Sequence, residues 1–150
     1  MADITVDLLD HVTGILNTEL NAGDLYKVER KILPRTQKQK RTKPEIFVSI
    51  NKISSLEHSR GDLHMAYEVG VGVVYEAPKE SQQESALSLV DEILCTLESK
   101  EYRTFTTTSG LKFSYMSPFV LEPVFDAEIL NEQGTFVSAI LFNYVHILDR

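Results

Sequence analysis

The chain has one cysteine, no tryptophan, five prolines and seven glycines in 150 residues. A single cysteine excludes an intramolecular disulfide framework and any zinc cage built from thiolates. So little glycine and proline excludes collagen-like or linker-like composition. No uninterrupted apolar run approaches the roughly 18 residues of a membrane span. Asp3 and Asp7 fall within the leading apolar stretch and no basic leader precedes it, so the N-terminus does not read as a secretory signal. The expectation is a soluble chain made in a reducing cytoplasm. What is present is ordinary: 43% apolar and 25% charged residues, enough to build one core without metal or disulfide staples. A single domain over residues 1–150 follows from that length.

Charge is spread unevenly. The formal net charge is −7, yet residues 27–43 hold Lys27, Arg30, Lys31, Arg35, Lys38, Lys40, Arg41 and Lys43 against Glu29 alone. The rest of the chain is strongly acidic. Such a body repels nucleic acid and membranes at long range, whereas the basic stretch attracts acidic surfaces locally. Arg35 to Pro44 has no apolar residue with which to anchor itself in a core and reads as a flexible basic loop. It is either a solvated loop or a docking arm for an acidic partner or a phosphate backbone. No aromatic is interleaved with the charges, which argues against a base-stacking single-strand binder.

Periodicity supplies the elements. Ile4, Leu8, Val12, Ile15, Leu16 and Leu20 recur at spacings of three and four and predict an amphipathic helix over 3–20, capped by Asp3 and stopped at Asn21-Ala22-Gly23. Tyr26 to Ile32 alternates and reads as a short strand ended by Pro34. Glu45 to Ile53 is a second strand with Ile46, Val48 and Ile50 on one face, and Ser54 to Gly61 is a turn. Asp62 to Glu76 holds period two without a break from Leu63 to Tyr75. Gly70 and Gly72, on its other face, leave room for a second backbone or a bend. Ser81-Gln82-Gln83-Glu84 reads as a capping box before a second amphipathic helix marked by Ala86, Leu87, Val90, Ile93, Leu94 and Leu97.

The final third reads as two hairpins, Tyr102–Thr108 with Leu111–Met116 and Phe119–Leu130 with Thr135–Leu148, and Pro118 and Pro123 mark an edge or bulged strand. The last strand is apolar on both faces, with Val137, Leu141 and Val145 on one and Phe136, Ile140, Phe142 and Tyr144 on the other. Either a neighbouring subunit covers it or it lies centrally in the sheet. Grouped strands with segregated helices predict an α+β fold: a mainly antiparallel sheet packed against two amphipathic helices, with a strand-rich C-terminal region.

No catalytic constellation emerges, so the chain reads as a non-enzyme without cofactor or metal. His58 and His64, six apart with Glu57 and Asp62 nearby, form at most a weak metal set and read better as solvated turn residues. Cys95 sits within the second helix as a small packing residue, with no neighbour placed to activate its thiol. Gly70-Val71-Gly72 lies inside a strand and lacks the third glycine of a dinucleotide fingerprint. Adjacent Asp91 and Glu92 point in different directions on a helix and are solvated. Arg60-Gly61-Asp62 matches an adhesion tripeptide, but its glycine simply serves a turn.

The element order resembles the tail-terminator, or tail-completion, proteins of long-tailed bacteriophages. The resemblance lies in a leading helix (Asp3–Leu20), a polar stretch (Arg35–Pro44) before a strand (Glu45–Ile53), and a long valine-rich strand from Leu63 to Tyr75. A helix of the pattern Ala-Leu-x-Leu-Val-Asp-x-Ile-Leu-x-x-Leu over Ala86–Leu97 follows, then closing strands. It covers most of the chain but rests on architecture. It implies a structural virion protein, usually a hexameric ring, assembled in the host cytoplasm. Such a ring caps the tail tube, ends its polymerisation and offers the surface that joins tail to head. Its partners would be further copies of itself, the tube protein and a head-tail connector, with genomic DNA passing through the ring without sequence-specific binding. Arg35, Lys38, Lys40, Arg41 and Lys43 are the candidate interface residues.

Three other readings stay open. One is a different neck or connector adaptor, which would bind DNA-filled heads rather than tubes. Another is a nucleic-acid-binding module using the basic loop, whose affinity would fall steeply with salt. The third is a small enzyme whose site no motif reveals.

Overall fold

The computed structural model describes residues 4–20, 26–30, 44–57, 63–77, 79–120 and 134–147. They form α1 (Ile4–Leu20), β1 (Lys27–Arg30), β2 (Glu45–Glu57), β3 (Leu63–Glu76) and α2 (Glu80–Glu98), then a one-turn α3 (Lys100–Arg103), β4 (Thr104–Thr106), β5 (Lys112–Val120) and β6 (Thr135–Ile147). Six strands make one sheet, in the order β1-β2-β3-β6-β5-β4, curled into a half-barrel. The fold is α+β. The sheet is mixed rather than antiparallel throughout, because β1 pairs with β2 in parallel and every other pairing is antiparallel. The predicted Asp3 cap, the 21–23 stop and the loop Arg35–Pro44 up to residue 43 lie outside the described residues.

The core lies between the helices and one face of the sheet. Leu8, Leu9, Val12, Ile15 and Leu16 of α1 and Ala86, Leu89, Val90, Ile93 and Leu97 of α2 are buried. They join Ile46, Val48, Val69, Val71, Val73, Phe136, Ile140 and Phe142 in a single cluster. Fully burying a side chain such as Ile93 or Leu97 is worth about 1.5–3 kcal/mol relative to exposure. α1 packs along β1 and β2 and touches α2, which packs on β3 and β6.

β6 takes the central position. It pairs with β3 along Met65–Glu76 and with β5 on its other side. The helices bury its inner face, whereas Val137, Leu141 and Val145 on the other face stay half-buried and Ala139 is exposed. The inner face carries Phe136, Ile140, Phe142 and Tyr144, which meet the helices. The other face is covered in places too, since Phe47, Ala66 and Val74 are nearly inaccessible but stand outside the main cluster.

Several boundaries differ from the sequence reading. β2 runs on to Glu57 where a turn from Ser54 was expected, because ladder pairing to β3 continues through Glu57–Leu63. One residue is extra: the register shifts between Ile50 and Lys52. Asn51 is thus a bulge, and its amide donates to Glu68 Oε1. The cap of α2 is Lys79 and not Ser81. Gln82 Oε1 accepts the Lys79 backbone N–H at 3.1 Å, while Gln83 Nε2 donates to the Ala77 carbonyl at 3.1 Å. The glutamines supply the entry bonds, so the helix starts before the serine.

The first C-terminal hairpin is shorter than predicted. Tyr102 belongs to α3, and β4 spans three residues. Gly110, at φ 89°, supplies the left-handed position of the following turn. β5 shifts register between Ser117 and Val120, around Pro118, which has no N–H to give the ladder. The predicted strand Phe119–Leu130 falls outside the described residues after Val120. Gly70 and Gly72 are not forced by close approach: an added Cβ would stand 3.5 Å from Ser49 Oγ at the first and 3.6 Å from the Ser138 carbonyl at the second.

Candidate functional site

Two surface features stand out. The first is a shallow groove of about 330 Å³ between α1, α3 and the β4–β5 turn, lined by Asp10, His11, Gly14, Ile15, Thr18, Tyr102 and Thr108. Helical spacing sets one wall, since residues 10, 11, 14, 15 and 18 share a stripe of α1. Gly14 has open space around it and leaves the groove floor bare.

The opposite wall is pinned to α1 by hydrogen bonds. The Thr107 hydroxyl donates to Asp7 Oδ2 and the Ser109 hydroxyl donates to Asp7 Oδ1 at 3.1 Å. Thr107 Oγ1 also accepts the Leu111 backbone N–H at 3.1 Å, and Thr107 N–H donates to the Leu111 carbonyl at 2.8 Å. Tyr102 donates its phenol proton to Glu19 Oε1 at 2.5 Å. Donation to that carboxylate, with Glu101 close by, pushes the Tyr102 pKa up to about 12.

Beneath the groove lies a ladder of rings. His11 stacks on Phe105 with centroids 4.3 Å apart and planes 11° from parallel. Phe105 meets Phe113 at 5.7 Å and Tyr144 at 5.6 Å, and Phe113 meets His146 at 5.3 Å. Burial lowers the His11 pKa and outweighs the raising effect of Asp7. The imidazole therefore packs as a neutral ring. Burial, with Tyr115 adding to it, raises the Tyr144 pKa far above that of a free phenol. Among the described residues Tyr144 Oη has no hydrogen-bond partner, although its side chain is fully buried.

Chemically the groove offers carboxylate, hydroxyl and phenol groups around a neutral imidazole, a set suited to gripping cationic or hydrogen-bonding side chains. Its own chain shows one such grip. Arg30 of β1 pairs with Asp10 through Nε–Oδ1 at 2.8 Å. Both groups are partly exposed, so the pair is worth about 0.2–1 kcal/mol.

The second feature is the outer edge of β2. β1 covers Glu45–Val48 and, among the described residues, no strand pairs with that side from Ser49 onward. Asn51 and Lys52 are exposed. Ile53 is 45% exposed, the one large hydrophobic so placed among the described residues.

The sequence-predicted interface residues Arg35, Lys38, Lys40, Arg41 and Lys43 lie outside the described residues. His58 does too, and the side chain of His64 is likewise not described. Among the described residues, no group of three or more His, Cys, Asp or Glu side chains is placed to hold a metal ion. Cys95 is exposed rather than packed, because it lies on the outer side of α2 beside Asp91 and Glu92. Among the described residues no helix is long and apolar enough to cross a membrane.

Neither the groove nor the β2 edge was visible in the sequence. Ile53 ends a period-two pattern like any core residue, and Asp7, Thr107 and Ser109 are about a hundred positions apart. Compared with models of protein families and with curated proteins, the chain has no match.

Proposed function

We propose that this chain is a structural subunit of a bacteriophage tail. Copies of it form a ring, of hexameric size by analogy, that caps the tail tube, ends its polymerisation and presents the surface for head joining. The observation that carries this reading is the order and pairing of the elements. A leading helix, a long β2–β3 hairpin, α2 packed on β3 and β6, and closing strands β5 and β6 follow one another as in tail-terminator proteins.

Charge supports it. α2 exposes Glu80, Glu84, Asp91 and Glu92, which give the subunit an acidic flank. Residues 27–43 carry the opposing positive charge. Complementary patches of this kind fix which surfaces meet and how fast, more than how tightly. In this reading Arg35, Lys38, Lys40, Arg41 and Lys43 dock on the acidic flank of the next copy or on an acidic tube end.

The test is assembly. Purified protein should run as a closed ring by native mass measurement and should cap growing tubes seen by electron microscopy. Replacing the five basic residues with serine should leave the subunit folded and weaken capping. A strictly monomeric protein that leaves tube length unchanged defeats the reading. Binding to DNA-filled heads but not to tubes would move the protein to the neck instead.

A further inference from the structure

The two ends of the sheet have a shared geometry. β2 has 13 residues and β1 pairs with its first four, Glu45–Val48. β4, at the other end, has three residues, paired with Lys112–Ser114 of β5. Each end is therefore a long strand with a short strand laid against its beginning. The backbone N–H and C=O groups on the outer side of β2 beyond Val48 form the kind of edge that another strand completes.

Side chains point the same way. The register places Ile53 in a row with Tyr67, Tyr144 and Tyr115, on the face where Tyr67 and Tyr144 are buried. Among the described residues that row stops at Ile53, the one large hydrophobic exposed there. One further strand would cover it. At the opposite end, Phe105 is buried between exposed Thr104 and Thr106, and β-branched residues of this kind suit a paired strand.

We infer that the edge of β2 centred on Asn51–Ser54, which no strand among the described residues pairs, pairs with β4 of a second copy, so that one sheet continues into the next. The inference rests on the ring reading above and names the contact that would close it. Such a contact joins two different surfaces and closes by rotation, as a ring requires. Strand sense fits. Antiparallel steps through β3, β6 and β5 leave β4 running in the same direction as β2. A rotation that carries one sheet beside the next preserves that sense, so β4 would lie parallel to β2 and end to end with β1, which already pairs in parallel. Nine residues of β2 lie beyond β1, enough for a strand of β4's length. Two β2 edges meeting each other would instead run antiparallel about a two-fold axis, stop at a dimer and leave β4 unused.

The experiment uses the full chain with Cys95→Ser, which removes the exposed native thiol. Native mass measurement of this protein first establishes whether a ring exists. Lys52→Cys combined with Thr106→Cys, two exposed positions on the same face of the sheet, treated with a short thiol-to-thiol crosslinker, should give a ladder of covalent oligomers up to ring size, and neither single variant should. Ile53→Lys should retain the far-UV dichroism of the parent and lose the ring. Three results overturn the inference while leaving the ring reading intact: a ring with no crosslink between positions 52 and 106, a ring that survives Ile53→Lys, or dimers from Lys52→Cys alone. A protein that is monomeric from the outset removes both.

Discussion

At β4 and β5 the sheet ends under a stack of rings, His11 on Phe105 and Phe105 against Phe113 and Tyr144, with Asp7 holding the turn by two hydroxyls. At β2 it ends in Asn51, Lys52 and Ile53, all in solvent, with a bulge at Asn51. The strands are of one sheet and share rows, yet one end is tied down by α1 and the other, among the described residues, is unpaired beyond β1. The contrast separates two jobs. Packed rings and side-chain hydrogen bonds tie the first end to α1, and an edge with one exposed apolar side chain offers contact to something else.

The sharpest way to break this comparison is to empty the ringed end. Phe113→Ala removes a fully buried side chain that touches Phe105, Tyr67 and His146. It should cost about 3–5 kcal/mol in urea unfolding. Asp7→Ala frees the Thr107 and Ser109 hydroxyls and should cost about 1–3 kcal/mol by the same measurement. Tyr144→Phe removes a buried hydroxyl that has no partner among the described residues and should be neutral or stabilising by about 1 kcal/mol. A marked loss there would mean that the hydroxyl is satisfied in solution.

His11 sharpens the comparison through pH. Burial sets its folded pKa below the ordinary 6.5, so the unfolded chain takes up that proton more readily than the folded one. Its contribution to stability is whole above about pH 6.5 and is lost as pH falls from there through the folded pKa. The urea midpoint should therefore drop on acidification in the parent, and drop less in His11→Phe. At the bare end the effect is smallest. Ile53→Lys should change subunit stability by no more than about 0.5 kcal/mol, measured below the concentration of any assembly. A larger loss would place Ile53 in the core and erase the difference between the two ends.

Much of the fold was legible because it follows local periodicity. The stripe from Leu8 to Leu16 and the alternation from Leu63 to Tyr75 each fix an element and its buried face with no reference to distant residues. Cap placement failed at Ser81 because the choice depended on what Gln82 and Gln83 could reach. The extension of β2 to Glu57 failed because its partner, not its own composition, sustains it. Of the candidate site, the sequence offered only charge. The groove needs Asp7 beside Thr107 and Ser109, and Tyr102 beside Glu19, pairs that no spacing rule connects.

By itself, the sequence determined the α+β class, two apolar helix stripes and a last strand apolar on both faces, since each depends on residues within a turn or two of one another. Strand order, the parallel step between β1 and β2, the central seat of β6 and the bare edge of β2 were decided only when distant strands paired. Hydrogen-bonded ladders are non-local: a strand carries the pattern of its faces in its side chains, but nothing in them names the neighbour at its edge.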